Sequence, residues 1–351
     1  MTLTIGVMVG GADRASLDAV AEAERLGAGS VWAPEAWMYD ALTPLGYLAA
    51  RTETMRLATG VVQLGARTPA MLAMSALALQ RMSGGRFILG VGTSGPQVME
   101  GWHGVRFDRP VTRTAETIDI IRTVLSGERL SYDGSVYRLP LPDSQGRAIR
   151  SPVVGDDPPA PLPIHIASMG PANLRLTGAK ADGWIGTAFL PESADAYLDP
   201  IRAGAEEAGR SLADVELSVA VGLDFTDDPE EAGRRHAAGY AFTIGAMGSS
   251  STNFYNRAFA RQGFGDAIEE VKRLWEAGDR DGAGRAVPIE IGLHTNLVGD
   301  DAAVSERLRR YRASGVQTLR VGINGDTTER LDQLARLLDL VNAVNAEPAP
   351  A

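Results

Sequence analysis
The chain has 351 residues, 44% of them hydrophobic, a formal net charge of −10 and no cysteine. That length buries a sizeable core, as one large α/β domain or two ordinary ones, and the acidic balance excludes a general nucleic-acid binder, which needs a basic surplus to displace phosphate counterions. Without cysteine there are no disulfides, thiolate nucleophiles or sulfur-ligated metals, and the four histidines (His103, His165, His236, His294) have no metal-motif spacing, so no intrinsic metal is expected.

The start, Met1-Thr-Leu-Thr-Ile-Gly6, lacks the basic and apolar regions of a signal peptide, and no run is long enough to span a bilayer. A cytoplasmic protein with no membrane contact is therefore expected. Short β-branched runs then alternate with helical patterns, the mark of βαβ units. Strands are expected at 3–9, 30–33, 55–62 and 86–91. Helices follow them, the first with Leu17, Val20, Ala21, Ala23 and Leu26 on one face, then 45–51, 70–82 and 112–125. Residues 127–162 are rich in Pro, Gly and Asp and read as an insertion with a hairpin near Tyr132-Asp-Gly-Ser135. Strands return at 162–167, 183–186, 215–223 and 317–321. Their helices start at 171, 194 and after Pro229, and close the chain at 301–314 and 328–345. A second insertion spans 245–288, with a helix at 266–277.

Eight strand–helix pairs suit a closed, TIM-like (β/α)8 barrel as a single domain over 1–346, with 347–351 as a frayed tail. The alternative, a doubly wound open sheet, normally carries Gly-x-Gly-x-x-Gly after its first strand, and Val9-Gly-Gly-Ala12 is not that turn.

In such a barrel the chemistry sits where strands end. After the second strand, Glu35 and Trp37 either face a cofactor or serve as a helix-entry acid and a packing aromatic. After the third, Gly60 either admits something flat against the backbone or marks a bulge. After the fourth, Gly92-Thr-Ser-Gly95 presents N–H groups to an anion. After the fifth, Ala167-Ser-Met-Gly-Pro171 opens a helix whose first amides and dipole attract phosphate. His165 reads as a core histidine inside its strand. His103, in Gly101-Trp-His-Gly104, lies in a loop and is the better candidate for proton chemistry.

Taken together, Arg67-Thr-Pro-Ala70, Leu79-Gln-Arg-Met-Ser-Gly-Gly-Arg-Phe-Ile-Leu-Gly-Val-Gly92, Ser94-Gly-Pro-Gln-Val-Met-Glu-Gly-Trp-His-Gly104 and Ala181-Asp-Gly-Trp184 resemble the bacterial luciferase-like superfamily, most closely its F420-dependent oxidoreductases of actinobacterial type. The resemblance extends to Tyr132-Asp-Gly-Ser-Val-Tyr-Arg-Leu-Pro140 and Arg310-Tyr-Arg-Ala-Ser-Gly-Val-Gln-Thr-Leu319. It implies a reduced deazaflavin, coenzyme F420, lying across the strand ends. A non-prolyl cis peptide at Gly60–Val61 would back the ring, with Gln63 nearby and Glu35 beside it. Gly92, Thr93, Ser94 and Gly95 would meet the ribityl–phosphate side, and Ala167, Ser168, Met169, Gly170 and Pro171 the phosphate.

Several relatives, notably the sugar-phosphate dehydrogenases, follow that acid with a histidine and carry a glutamate in the fourth-strand loop. Here the aligned residues are Ala36 and Ser94 or Gly95, neither of which moves a proton in that way. The chemistry left is hydride transfer to an electron-poor C=C, C=N or C=O of a small molecule. Trp37, Trp102 and His103 would form the substrate wall, and His103, with Glu35, is the catalytic candidate. A homodimer is expected. The alternatives are an FMN-dependent monooxygenase on the same barrel and a non-catalytic flavin-binding barrel.

Overall fold
The computed structural model describes residues 2–154, 161–247 and 253–348. The first half runs β1 (Thr4–Met8), α1 (Arg14–Leu26), β2 (Ser30–Ala33), α2 (Leu42–Ala49), β3 (Arg56–Thr59), β4 (Val62–Gln63), α3 (Pro69–Met82), β5 (Phe87–Gly92), a short α4 (Pro96–Met99) and α5 (Pro110–Leu125). Local chemistry sets the helix ends. Asp13 accepts from Ser16 N–H at the start of α1, which stops at Gly27 in the left-handed region (φ 111°). Thr68 caps α3 ahead of Pro69.

The first insertion follows, with the hairpin β6 (Tyr132–Asp133) and β7 (Arg138–Leu139). The buried Glu116 carboxylate of α5 holds it, accepting from the backbone N–H groups of Ser135, Val136 and Tyr137 at 2.7, 2.9 and 2.8 Å. Residues 155–160 of the insertion lie outside the described residues. The second half runs β8 (Ile164–Ala167), α6 (Pro171–Lys180), β9 (Gly183–Gly186), α7 (Asp195–Glu207), β10 (Glu216–Phe225) and α8 (Pro229–Ala246). Then come α9 (Phe254–Phe259), α10 (Gly265–Glu276), α11 (Arg280–Ala286), α12 (Ile289–His294), β11 (Leu297–Gly299), α13 (Asp301–Ala313), β12 (Thr318–Ile323) and α14 (Thr327–Ala346).

Eight parallel strands close the expected barrel in the order β1, β2, β3, β5, β8, β9, β10, β12 and back to β1. The helices pack outside over a continuous apolar core. Among the described residues, no helix is long and apolar enough to cross a membrane.

Three features depart from the sequence reading. The third strand, expected over 55–62, is broken into β3 and β4 by a cis Gly60–Val61 peptide. Thr59 bridges the break, its hydroxyl donating to Gly90 O (2.7 Å) and accepting from Gly90 N–H (2.8 Å). This contact needs glycine at 90, because a Cβ there would lie 2.0 Å from Thr59 O. The second insertion, expected over 245–288 with one helix, carries α9 and α11 besides α10, and α12 and β11 follow it; its residues 248–252 lie outside the described residues. Finally, at the start of the tail Glu347 is ion-paired with Arg309 of α13 at 2.8 Å; residues 349–351 lie outside the described residues. The barrel interior toward the strand starts is polar, with buried His165 beneath Trp32 and 3.9 Å from Glu216, which forms a bidentate pair with Arg56.

Candidate active site
Strand register brings the expected rim residues to one level. Gln63 of β4 pairs with Gly92 of β5, and Gly92 pairs with Ala167 of β8. The cis Gly60–Val61 peptide stands just before Gln63, where the resemblance placed it. Inside the barrel Trp32, Ala58, Ile88 and Ile185 form a buried apolar layer, with Met8, Val61 and Ala167 only partly covered on it. Those three side chains make an apolar floor suited to a flat ring.

The far side of the rim suits an anion. α6 begins at Gly170 with no side-chain cap, so the first-turn amides of its 10 residues are unclaimed there, and Pro171 has no N–H to lose. The Asn173 Oδ1 in that turn is buried without a hydrogen-bond partner. Arg261, in an irregular turn between α9 and α10, donates to Met169 O and brings a guanidinium to the same loop. Its neighbour Gln262 accepts from Leu190 N–H (3.0 Å) and donates to Ala188 O (2.8 Å), docking the second insertion on the β9 loop. Sequence reasoning missed both residues, because a polar pair in an insertion, ahead of its expected helix, carries no mark of its distant partners. The apolar floor and the uncapped start of α6 are chemically suited to a flat ring and a phosphate, the two parts of a deazaflavin cofactor. Among the described residues there is no His/Cys/Asp/Glu cluster able to hold a metal.

Several expectations are corrected in detail. Glu35 does not present a free carboxylate. Its side chain is only 6% exposed, grips Arg67 through bonds of 2.7 and 2.8 Å, and accepts from the N–H groups of Ala41 (3.1 Å) and Gln63 (3.2 Å). Its acceptor positions are taken, which makes it a positioning group. The Gln63 side chain is buried and also spent: its Nε2 donates to Glu35 O (3.0 Å) and Ala36 O (2.9 Å), and its Oε1 meets His103 Nε2 at 2.9 Å. Ser168 turns away from the rim. Thr177 gives its hydroxyl proton to Asn173 O, so the buried Ser168 hydroxyl donates to Thr177 at 2.8 Å, leaving only the backbone of that loop for an anion. In the 92–95 loop, Ser94 is held in the left-handed region (φ 56°), unusual for a residue with a Cβ.

Trp37 and Trp102 are 52% and 66% exposed, beside Met38 and Tyr39. Because Gln63 bonds both Ala36 and His103, it ties together the two loops that carry these tryptophans. A cavity of about 490 Å³ lies elsewhere, against α10 and lined by Asn256, Arg257 and Lys272 among others. None of the rim residues lines it, so size does not locate the chemistry here.

A closed parallel barrel with a cis peptide behind an apolar rim defines a luciferase-like enzyme fold. The luciferase-like monooxygenase family model matches residues 6–318, and the chain belongs to that family. A Mycobacterium tuberculosis protein provisionally named a coenzyme F420-dependent oxidoreductase is 37% identical over 91% of this chain and 93% of its own. The F420-dependent glucose-6-phosphate dehydrogenase of Kineococcus radiotolerans is 31% identical over 61% of this chain and 65% of its own. The solved coenzyme F420-dependent tetrahydromethanopterin reductase of Methanopyrus kandleri has the same fold (TM-score 0.74, 21% identity, covering 95% of this chain and 98% of that one).

Proposed function
We propose that the chain is an F420-dependent reductase acting on an electron-poor C=C, C=N or C=O of a small organic molecule. The observation that carries this reading is the level rim: Gly60–Val61, Gly92 and Ala167 stand together, Val61 and Ala167 forming an apolar floor with Met8, and the uncapped α6 start and Arg261 lie at one side. The bound deazaflavin would supply the hydride. Gly60 and Val61 back the ring, the amides of α6 and Arg261 hold the phosphate, Trp37 and Trp102 wall the substrate from water, and His103 gives the proton. Ala36 and Ser94 in place of proton-transfer groups argue against sugar-phosphate oxidation, although several relatives carry that name.

The test is a fluorescence titration of purified protein with reduced F420 and reduced FMN. Much tighter binding of F420 is expected; equal or reversed affinities overturn the assignment. The family model's own description favours one second reading, an FMN-dependent monooxygenase, and the same titration decides it. A deazaflavin has carbon at position five and does not form the oxygen adduct such an enzyme requires.

The protein would work in the cytoplasm, where other enzymes regenerate a stoichiometric reductant, and as a homodimer. Support for the dimer is the exposed stripe Met71, Met74, Ala78 and Met82 along α3, an apolar face that a monomer leaves in water. Met74→Glu should sediment as a monomer where the wild type is dimeric; an unchanged dimer moves the interface elsewhere.

A further inference from the structure
We infer that Gln63 fixes the protonation of His103, so that the proton given to substrate leaves from Nδ1 and never from Nε2. The inference rests on the reading of His103 as the proton donor. Both Nε2 hydrogens of Gln63 point to carbonyl oxygens, Glu35 O and Ala36 O, which only accept. Flipping the amide would set its oxygen against two carbonyl oxygens, so the orientation is determined by chemistry. Oε1 is therefore what faces His103 Nε2 at 2.9 Å, and a bare acceptor there requires Nε2 to carry hydrogen.

Gln63 is itself anchored. Its backbone N–H donates to the Glu35 carboxylate (3.2 Å), which Arg67 and Ala41 N–H hold from the other side. The amide is thus a fixed acceptor in a buried setting. The neutral imidazole is then the Nε2–H tautomer, with Nδ1 bare, and Nδ1 has no hydrogen-bond partner among the described residues.

The consequence for a reduction is definite. The imidazolium releases the Nδ1 proton to the substrate atom left electron-rich as hydride arrives at its neighbour. Hydride plus proton complete the two-electron reduction, the N–H bond at Nδ1 breaks, and His103 is left as the Nε2–H form that Gln63 favours. Solvent returns the proton to Nδ1. Gln63 touches no reacting atom and is a positioning residue.

The test uses full-length protein labelled with ¹⁵N-histidine, with the His103 signal assigned by its loss in His103→Gln. Long-range proton–nitrogen correlation spectra report which nitrogen of the neutral ring carries hydrogen. Wild type should show Nε2–H. Gln63→Met removes the acceptor and should give a tautomer mixture, with turnover lowered about tenfold or more while cofactor affinity holds. Gln63→Glu keeps an acceptor and should retain Nε2–H and more turnover than Gln63→Met. Both variants lose the bonds to Glu35 O and Ala36 O, and Gln63→Glu also sets a carboxylate oxygen against those two carbonyls, so a purely loop-holding role would harm it more than Gln63→Met, the reverse of the order expected here. An Nδ1–H signal in wild type, or an unchanged signal in Gln63→Met, overturns the proposal. Wild type alone decides if neither variant folds. Whether His103 is the donor at all is read separately from turnover in His103→Gln, so the two failures are distinguishable.

Discussion

A carboxylate's use follows from the donors it meets. Glu35 stands at the rim as its place in the sequence suggests, yet Arg67 and two backbone amides occupy it. Arg67 lies 32 residues along the chain, and no local pattern announces that pairing. The burial of Gln63 was equally silent, since a glutamine after an apolar strand reads as an exposed polar group. The loop position of His103 was legible from its flanking glycine and the strand before it, but its bond to Gln63, 40 residues away in the chain, was not. His103→Gln keeps size and hydrogen bonding but removes the ring that would hand over the proton. Steady-state turnover should fall roughly 10²- to 10⁴-fold with cofactor affinity unchanged. Wild-type turnover would leave the proton to solvent.

Among the elements, strands were read well because alternating β-branched runs and glycine punctuation are local signals. Gly60 inside the third strand already offered a bulge, but the cis peptide that separates β3 from β4 was visible only through the resemblance. β11 was missed because three residues are too few to show a period. The start of α6 carries its own prediction. Gly170 has extended dihedrals (φ −77°, ψ 146°), and a Cβ there would meet only Phe254, at 3.9 Å. Gly170→Asp should therefore cap the helix and hold or raise stability by a few tenths of a kcal/mol. The same carboxylate would face the cofactor phosphate and weaken binding strongly. Thermal melts and cofactor titration should move in opposite directions; unchanged affinity in a folded variant relocates the phosphate site.

At the scale of the whole molecule, the buried polar layer under the barrel mouth makes stability depend on pH. Burial pushes the His165 imidazole down to about 4, with the Glu216 carboxylate only partly opposing it. Neither ring nitrogen has a hydrogen-bond partner. Between the ordinary value of 6.5 and about 4, the unfolded chain takes a proton that the native ring refuses. This contribution is fully present above pH 6.5 and is lost as pH falls through that window, levelling off below about 4. Its size is about 3 kcal/mol. His165→Leu should flatten the dependence, read as denaturant midpoints at neutral pH and near pH 4.5. An equally steep loss in the variant would assign the effect to other groups.

The doubled edge of β10 also has a consequence for how such enzymes diversify. Its lower half pairs with β9 and its upper half with β11, so the excursion from α8 to α12 leaves the sheet and returns to it on the same strand. Asn296 pins the return, its Oδ1 accepting from Gly222 N–H at 2.7 Å. The excursion is a cassette with both ends fixed to one strand. Exchanging it between relatives as a graft should leave the barrel closed provided that its packing against the barrel, at Ala258 and at Phe259 beside Ala188 and Leu190, is kept. Arg261 and Gln262 are the residues to carry across with it, since they alone in that turn are seen reaching back to the β8 and β9 loops.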